Sequence, residues 1–202
     1  MKATILTIAI ALSTVLGISQ SAKAATGSKQ EVSTLLTGVS RINQIEVRGN
    51  VELYLSDGTA DQVKVYNSYY AESALVQDDD GVLRITSYST QKLVVWVTAT
   101  ELAKLEVYDN AEVKSFGRIS AIDLDVELYN KATAQLNMDT YAASITLNNY
   151  AKADITGNVD EADLHYSRSS FLNTTNLAAT HVVKTVMVNR FCRNSTIELA
   201  SL

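Results

Sequence analysis

Five stretches of the chain can be laid under one another: LEVYDNAEV from Leu105, VELYNKATA from Val126, ITLNNYAKA from Ile145, LHYSRSSFL from Leu164 and VMVNRFCRN from Val186. Their starts lie 21, 19, 19 and 22 residues apart. A nearly constant step of this size is the mark of stacked units that each contribute a layer to one shared core. Down the columns, Leu105, Val126, Ile145, Leu164 and Val186 are apolar, and so are Val107, Leu128, Leu147, Tyr166 and Val188. The residues between them, Glu106, Glu127, Thr146, His165 and Met187, point outward by the two-residue period of a strand.

Small side chains follow at Ala111, Ala132, Ala151, Ser170 and Cys192, where walls meet at a turn. Ser115, Leu136, Ile155, Thr174 and Thr196 then suggest a second inward strand in each unit. Between the strands stand Tyr108-Asp109, Tyr129-Asn130, Asn148-Asn149, Ser167-Arg168 and Asn189-Arg190. Asn and Asp tolerate left-handed backbone and bond their own turn, so these pairs read as corners.

Residues 42–100 read as further strands without a clear period. INQIEVRGNVELYLSDG alternates inward Ile45, Val47, Val51, Leu53 and Leu55, with a kink at Gly49-Asn50 and a turn at Asp57-Gly58. DQVKVYNS, GVLRITSYS and KLVVWVTAT follow, separated by polar stretches such as Asp78-Asp79-Asp80-Gly81. The expected fold is all-β: a single-stranded right-handed parallel β-solenoid, β-helix-like, with coils of about 20 residues and an irregular N-terminal β cap.

The domain plan is a signal peptide over 1–24, a flexible lead-in over 25–41 and one β-solenoid domain over 42–202. Lys2, the apolar run Ala3 to Ile18 and the small residues Ala22-Lys23-Ala24 form a secretory signal. The run falls short of the roughly 20 apolar residues of a membrane span, so no membrane insertion is expected after cleavage. The one cysteine excludes an internal disulfide framework, and its place in the small-residue column makes it a packing group. After cleavage 17 − 2 = 15 basic residues face 22 acidic ones, a formal charge of 15 − 22 = −7. That balance, with no basic run, argues against nucleic acid or an anionic membrane as partner.

Chemistry is sparse. His165 and His181 have no metal-ligand spacing and neither lies near Cys192 in sequence, so no metal and no cofactor are expected. Glu106 and Glu127 neighbour each other in an outward column, which leaves open a glycosidic carboxylate pair. The more informative surface is the corner set Tyr108, Asp109, Tyr129, Asn130, Asn149 and Tyr150, a Tyr/Asn-rich candidate binding face. Tyrosine offers an apolar face with a polar tip, suited to a sugar, to a protein or simply to a stacking ladder.

The run INQIEVRGNVELYLSDG, then DDDGVLRITS, then ELAKLEVYDNAEV and its successors resembles the bacterial family described as "Putative auto-transporter adhesin, head GIN domain". Val47, Gly49, Val51, Leu53 and Gly58 match its opening strand; Gly81, Leu83 and Ile85 match its second. Leu102, Leu105, Val107, Ala111 and Val113 match its first coil. The likeness spans roughly residues 40–200 and departs at the corners, where Tyr-Asp-Asn, Tyr-Asn-Lys, Asn-Asn-Tyr and Ser-Arg-Ser replace Ser-Gly-Ser. It implies exported proteins of Bacteroidetes-type bacteria with a right-handed β-solenoid fold and an adhesive role, and no catalytic residues.

The expectation is an exported, non-enzymatic binding or adhesion domain, in the periplasm or at the cell surface, facing a glycan, envelope component or protein. A polysaccharide-active enzyme using Glu106 and Glu127 and a self-associating envelope scaffold are the alternatives.

Overall fold

The computed structural model describes residues 33–36, 39, 41–66 and 74–187. The first strands are β1 (Ser33–Leu36), β2 (Gln44–Gly49), β3 (Val51–Asp57), β4 (Gln62–Tyr66), β5 (Ala74–Asp79), β6 (Val82–Ser87) and β7 (Leu93–Ala99). They are followed by β8 (Lys104–Tyr108), β9 (Glu112–Ser115), β10 (Ile119–Leu128), β11 (Thr133–Leu147), β12 (Lys152–Ser167), β13 (Phe171–Asn173) and β14 (Leu177–Met187). Alternation drives them. In β2, β3 and β7 every second residue is buried, and Ile45, Val47, Val51, Leu53, Leu55, Leu93, Val95 and Val97 join one hydrophobic cluster.

The expected single-stranded right-handed parallel β-solenoid is not what forms. All fourteen strands belong to one curled, mixed sheet, and eleven lie on the path β1-β4-β7-β3-β9-β11-β10-β8-β2-β6-β5. β1 with β4, β4 with β7 and β5 with β6 are antiparallel. The short connection Asp80-Gly81 explains the last pair, because so tight a link can join only antiparallel strands; both residues have positive φ, 51° and 85°.

Order along the sheet also departs from order along the chain. β2 lies between β6 and β8, and β3 between β7 and β9, so these two early strands sit inside the sheet and not at its end. They are therefore not a cap. Part of the segment read as a lead-in, Ser33–Leu36, is β1, paired along its length with β4.

The apolar columns are register neighbours over four strands: Leu105, Val126, Ile145 and Leu164, and beside them Val107, Leu128, Leu147 and Tyr166. All but Tyr166 are fully buried. The columns slip at β14, where Lys184 stands opposite Leu164 and Val186 opposite Tyr166. From Thr180 to Val186 every residue of β14 is exposed, so over that run no buried face fixes its register through apolar pattern; Leu177 and Ala179, at its start, pack partly buried against the core. Val188, the Asn189-Arg190 corner, Cys192, Thr196 and the signal segment 1–24 lie outside the described residues.

Two local devices hold the curled sheet. Asp61 accepts hydrogen bonds from Ile42 N–H at 2.9 Å, Thr100 N–H at 2.8 Å and the Thr100 hydroxyl at 2.9 Å, joining the start of β4 to the chain around β2 and β7. Burial raises its pKa, but these bonds outweigh that and hold it below the ordinary carboxylate range. At Gly49 the chain turns from β2 to β3 with φ of 84° and passes so close to β6 that a Cβ there would lie 2.1 Å from the Ser87 carbonyl oxygen.

Candidate functional site

The corners are built as their residue types demand. Asp109, Asn130 and Asn149 have φ of 64°, 63° and 58°, the left-handed region these side chains tolerate best after glycine. Each opens a tight turn in which Ala111, Ala132 or Ala151 donates its N–H to the carbonyl of Tyr108, Tyr129 or Asn148, at 3.1–3.2 Å. The alanines are fully buried where the turn meets the core. At Ser167-Arg168 the same bond forms, Ser170 N–H to Ser167 O at 3.2 Å, without a left-handed residue.

The corner side chains run on from strand to strand. Asn149 donates through its amide to Asn130 Oδ1 at 3.1 Å, and Asn130 donates to Asp109 Oδ1 at 3.0 Å. Tyr88 adds its hydroxyl to Asp109 Oδ2 at 3.3 Å. Tyr150, beside the last amide of the line, is 64% exposed. The structure thus aligns Asp109, Asn130 and Asn149 and leaves Tyr150 open at their end.

Tyr108 and Tyr129 form a separate stack on the neighbouring outward position. Their rings are 4.7 Å apart and 4° from parallel, and the Arg48 guanidinium covers the far face of Tyr108 at 3.8 Å. This uses the placement of β2 beside β8, which pairs Arg48 with Tyr108. Arg48 is in turn ion-paired with Glu46, and the Tyr129 hydroxyl donates to Glu127. That hydrogen bond, with burial second, pushes the Tyr129 phenol well above its ordinary pKa.

Glu106 and Glu127 are register partners, as the outward column anticipates, and Lys104 Nζ lies 3.0 Å from each. Burial favours protonation of Glu127, but hydrogen bonds from Tyr129 and Lys104 outweigh it and hold the carboxyl below its ordinary range. A general acid for glycosidic cleavage needs the opposite shift. The pair has the chemistry of an ion-paired surface ladder.

A second aromatic group escaped the sequence reading. Trp96 stacks on Tyr54 with centroids 4.7 Å apart and planes at 19°, meets Phe116 at 5.3 Å and meets Tyr66 edge-on at 6.4 Å. These residues come from β7, β3, the bend just after β9, and β4. Outward parity was available, since Trp96 lies between inward Val95 and Val97 and Tyr54 between Leu53 and Leu55. What was missing is the adjacency of β3 to β7.

These faces, with aromatic stacks, amide lines and ion-paired carboxylates on one side of a curled sheet and an apolar core on the other, are those of a β-sheet binding module. The chain belongs to the family described as "Putative auto-transporter adhesin, head GIN domain", which matches residues 41–187. That membership makes it an adhesin-type protein of an exported or surface class. No curated protein matches the chain.

Solved structures share the fold. A "putative adhesin" from Parabacteroides distasonis ATCC 8503 is 16% identical, with 78% of each chain covered and a TM-score of 0.59. A "Putative lipid binding protein" from the same strain is 13% identical, covering 79% of this chain and 80% of its own, at a TM-score of 0.60. A "putative adhesin" from Parabacteroides merdae ATCC 43184 is 15% identical, with 79% of each chain covered and a TM-score of 0.56.

Proposed function

We propose that the protein is a non-enzymatic adhesion domain, acting in the periplasm or at the cell surface, whose corner face holds a hydroxyl-rich partner, a glycan of the envelope above all. Tyr108, Asp109, Tyr129, Asn130, Asn149 and Tyr150 form that face. The observation that carries the reading is the amide line from Asp109 through Asn130 to Asn149, ending beside the exposed ring of Tyr150. Amides fixed by their neighbours lose little freedom when a ligand arrives, and an exposed tyrosine ring adds apolar area with a polar tip. Within this face the Tyr108–Tyr129 stack is support: one ring face of Tyr108 is taken by Arg48 and the other by Tyr129.

The test is binding of the purified protein, expressed from its full chain, to immobilised glycans and to envelope fractions. An Asn149→Ala, Tyr150→Ala double variant should lose about tenfold or more in affinity, roughly 1.4 kcal/mol, and stay folded, with a stability loss of about 1 kcal/mol for alanine in the left-handed corner that Asn149 occupies. Equal binding by the folded variant would remove this face as the site. Absence of binding by either protein would remove the reading.

A further inference from the structure

We propose that the Trp96 platform is a second, separate binding surface, and that its ligand is an acidic oligosaccharide carrying carboxylates. Lys64, Trp96, Tyr54 and Lys114 are consecutive register partners across β4, β7, β3 and β9, so cations stand at both ends of a row of rings. Tyr66 and Phe116 widen the row on either side, and Phe116 is 64% exposed. At the usual strand spacing the four strands span about 14 Å, room for about three pyranose rings laid end to end.

The polar groups around the rings decide the class of ligand. Lys114 contacts Glu52 at 2.8 Å and Glu112 at 2.9 Å, and Lys92 contacts the same two carboxylates at 3.6 and 3.1 Å. Lys64 has no carboxylate partner among the described residues; its ammonium rests over the Tyr66 ring at 4.8 Å. Three lysines therefore face two glutamates, a surplus of one positive charge carried by Lys64 on a chain of net charge −5. The Trp96 indole N–H and the Tyr66 hydroxyl also have no hydrogen-bond partner among the described residues. Trp96 and Tyr54 stack on each other and Lys114 lies 5.8 Å over the Tyr54 ring, so it is the exposed Phe116 ring, with spare donors beside it, that offers apolar area to a ligand with C–H faces and acceptor-rich, anionic edges, which is the chemistry of a uronic-acid chain.

Trp96 is the only tryptophan, so its emission reports on this surface alone. Oligogalacturonate should change the fluorescence of the purified protein saturably. The fully methyl-esterified oligomer should bind about tenfold more weakly, as should the acidic one to Lys64→Gln. The Asn149→Ala, Tyr150→Ala variant should give the wild-type titration, which separates this surface from the corner face. No saturable change, an equal response to the esterified oligomer, or an unaltered response in Lys64→Gln would overturn the proposal. A shift that follows protein concentration alone would assign the platform to a second copy of the chain and overturn it too.

Discussion

Gly49→Ala should destabilise the protein by on the order of 3–5 kcal/mol, enough to leave much of it unfolded. Two penalties combine there. The backbone has φ of 84°, and the new methyl would lie 2.1 Å from the Ser87 carbonyl oxygen and 3.0 Å from the Tyr88 ring. The same carbonyl accepts the Asn50 N–H, so moving it aside would loosen the junction of β2 with β6. Gly117 isolates the first penalty, since its φ is 85° but a methyl added there would meet nothing within 4 Å. Gly117→Ala should cost only about 1–2 kcal/mol. Urea unfolding of the two variants checks the difference; equal losses would mean that β2 and β6 do not approach as described.

Leu128→Ala should cost about 2–5 kcal/mol through lost transfer energy and the cavity it leaves. Leu128 is fully buried between Val107 and Leu147, and the rigid strands on both sides limit collapse into the gap. By comparison Tyr129→Ala removes one ring of a half-buried stack and its hydrogen bond to Glu127, and should cost roughly 1 kcal/mol. Denaturation midpoints at unchanged slope measure both, and similar losses at the two positions would contradict the inward and outward assignment.

Much of the local structure was legible because it is written in neighbouring residues. Alternation located the inward faces of β2, β3 and β8, and Asn or Asp at fixed offsets located the left-handed corners. Strand order was not legible. The pairing of Gln44 with Lys104 joins residues far apart in the chain, and the step between similar segments carries no information about it. A period of about 20 residues suggested stacking in chain order, whereas the hydrophobic pattern is satisfied equally by β2 between β6 and β8.

The same limit governed the sites. The corner line depends on the parallel run of β8, β10 and β11, where similar segments do lie side by side, so the repeat already sets Asp109, Asn130 and Asn149 in one column. The Trp96 platform depends on β3 lying between β7 and β9, and no repeat announces that. At β14 the failure was one of energy: the run from Thr180 to Val186 is exposed on both faces and has no burial term to select its register, so matching apolar letters misplaced it by two residues.

The Trp96 platform and the Arg48 cover on the Tyr108–Tyr129 stack rest on the placement of β2 and β3 inside the sheet, which sets Arg48 on Tyr108 and Tyr54 on Trp96. The most direct test is disulfide trapping of outward register partners in a Cys192→Ser background. Glu46→Cys with Glu106→Cys joins β2 to β8 and should cross-link readily, because the two positions are direct partners. Arg84→Cys with Glu106→Cys should not, since β2 separates β6 from β8 by two strand spacings, about 9–10 Å. Cross-linking of the second pair and not the first would mean that the strands follow chain order, and would remove both the Arg48 cover and the Trp96 platform.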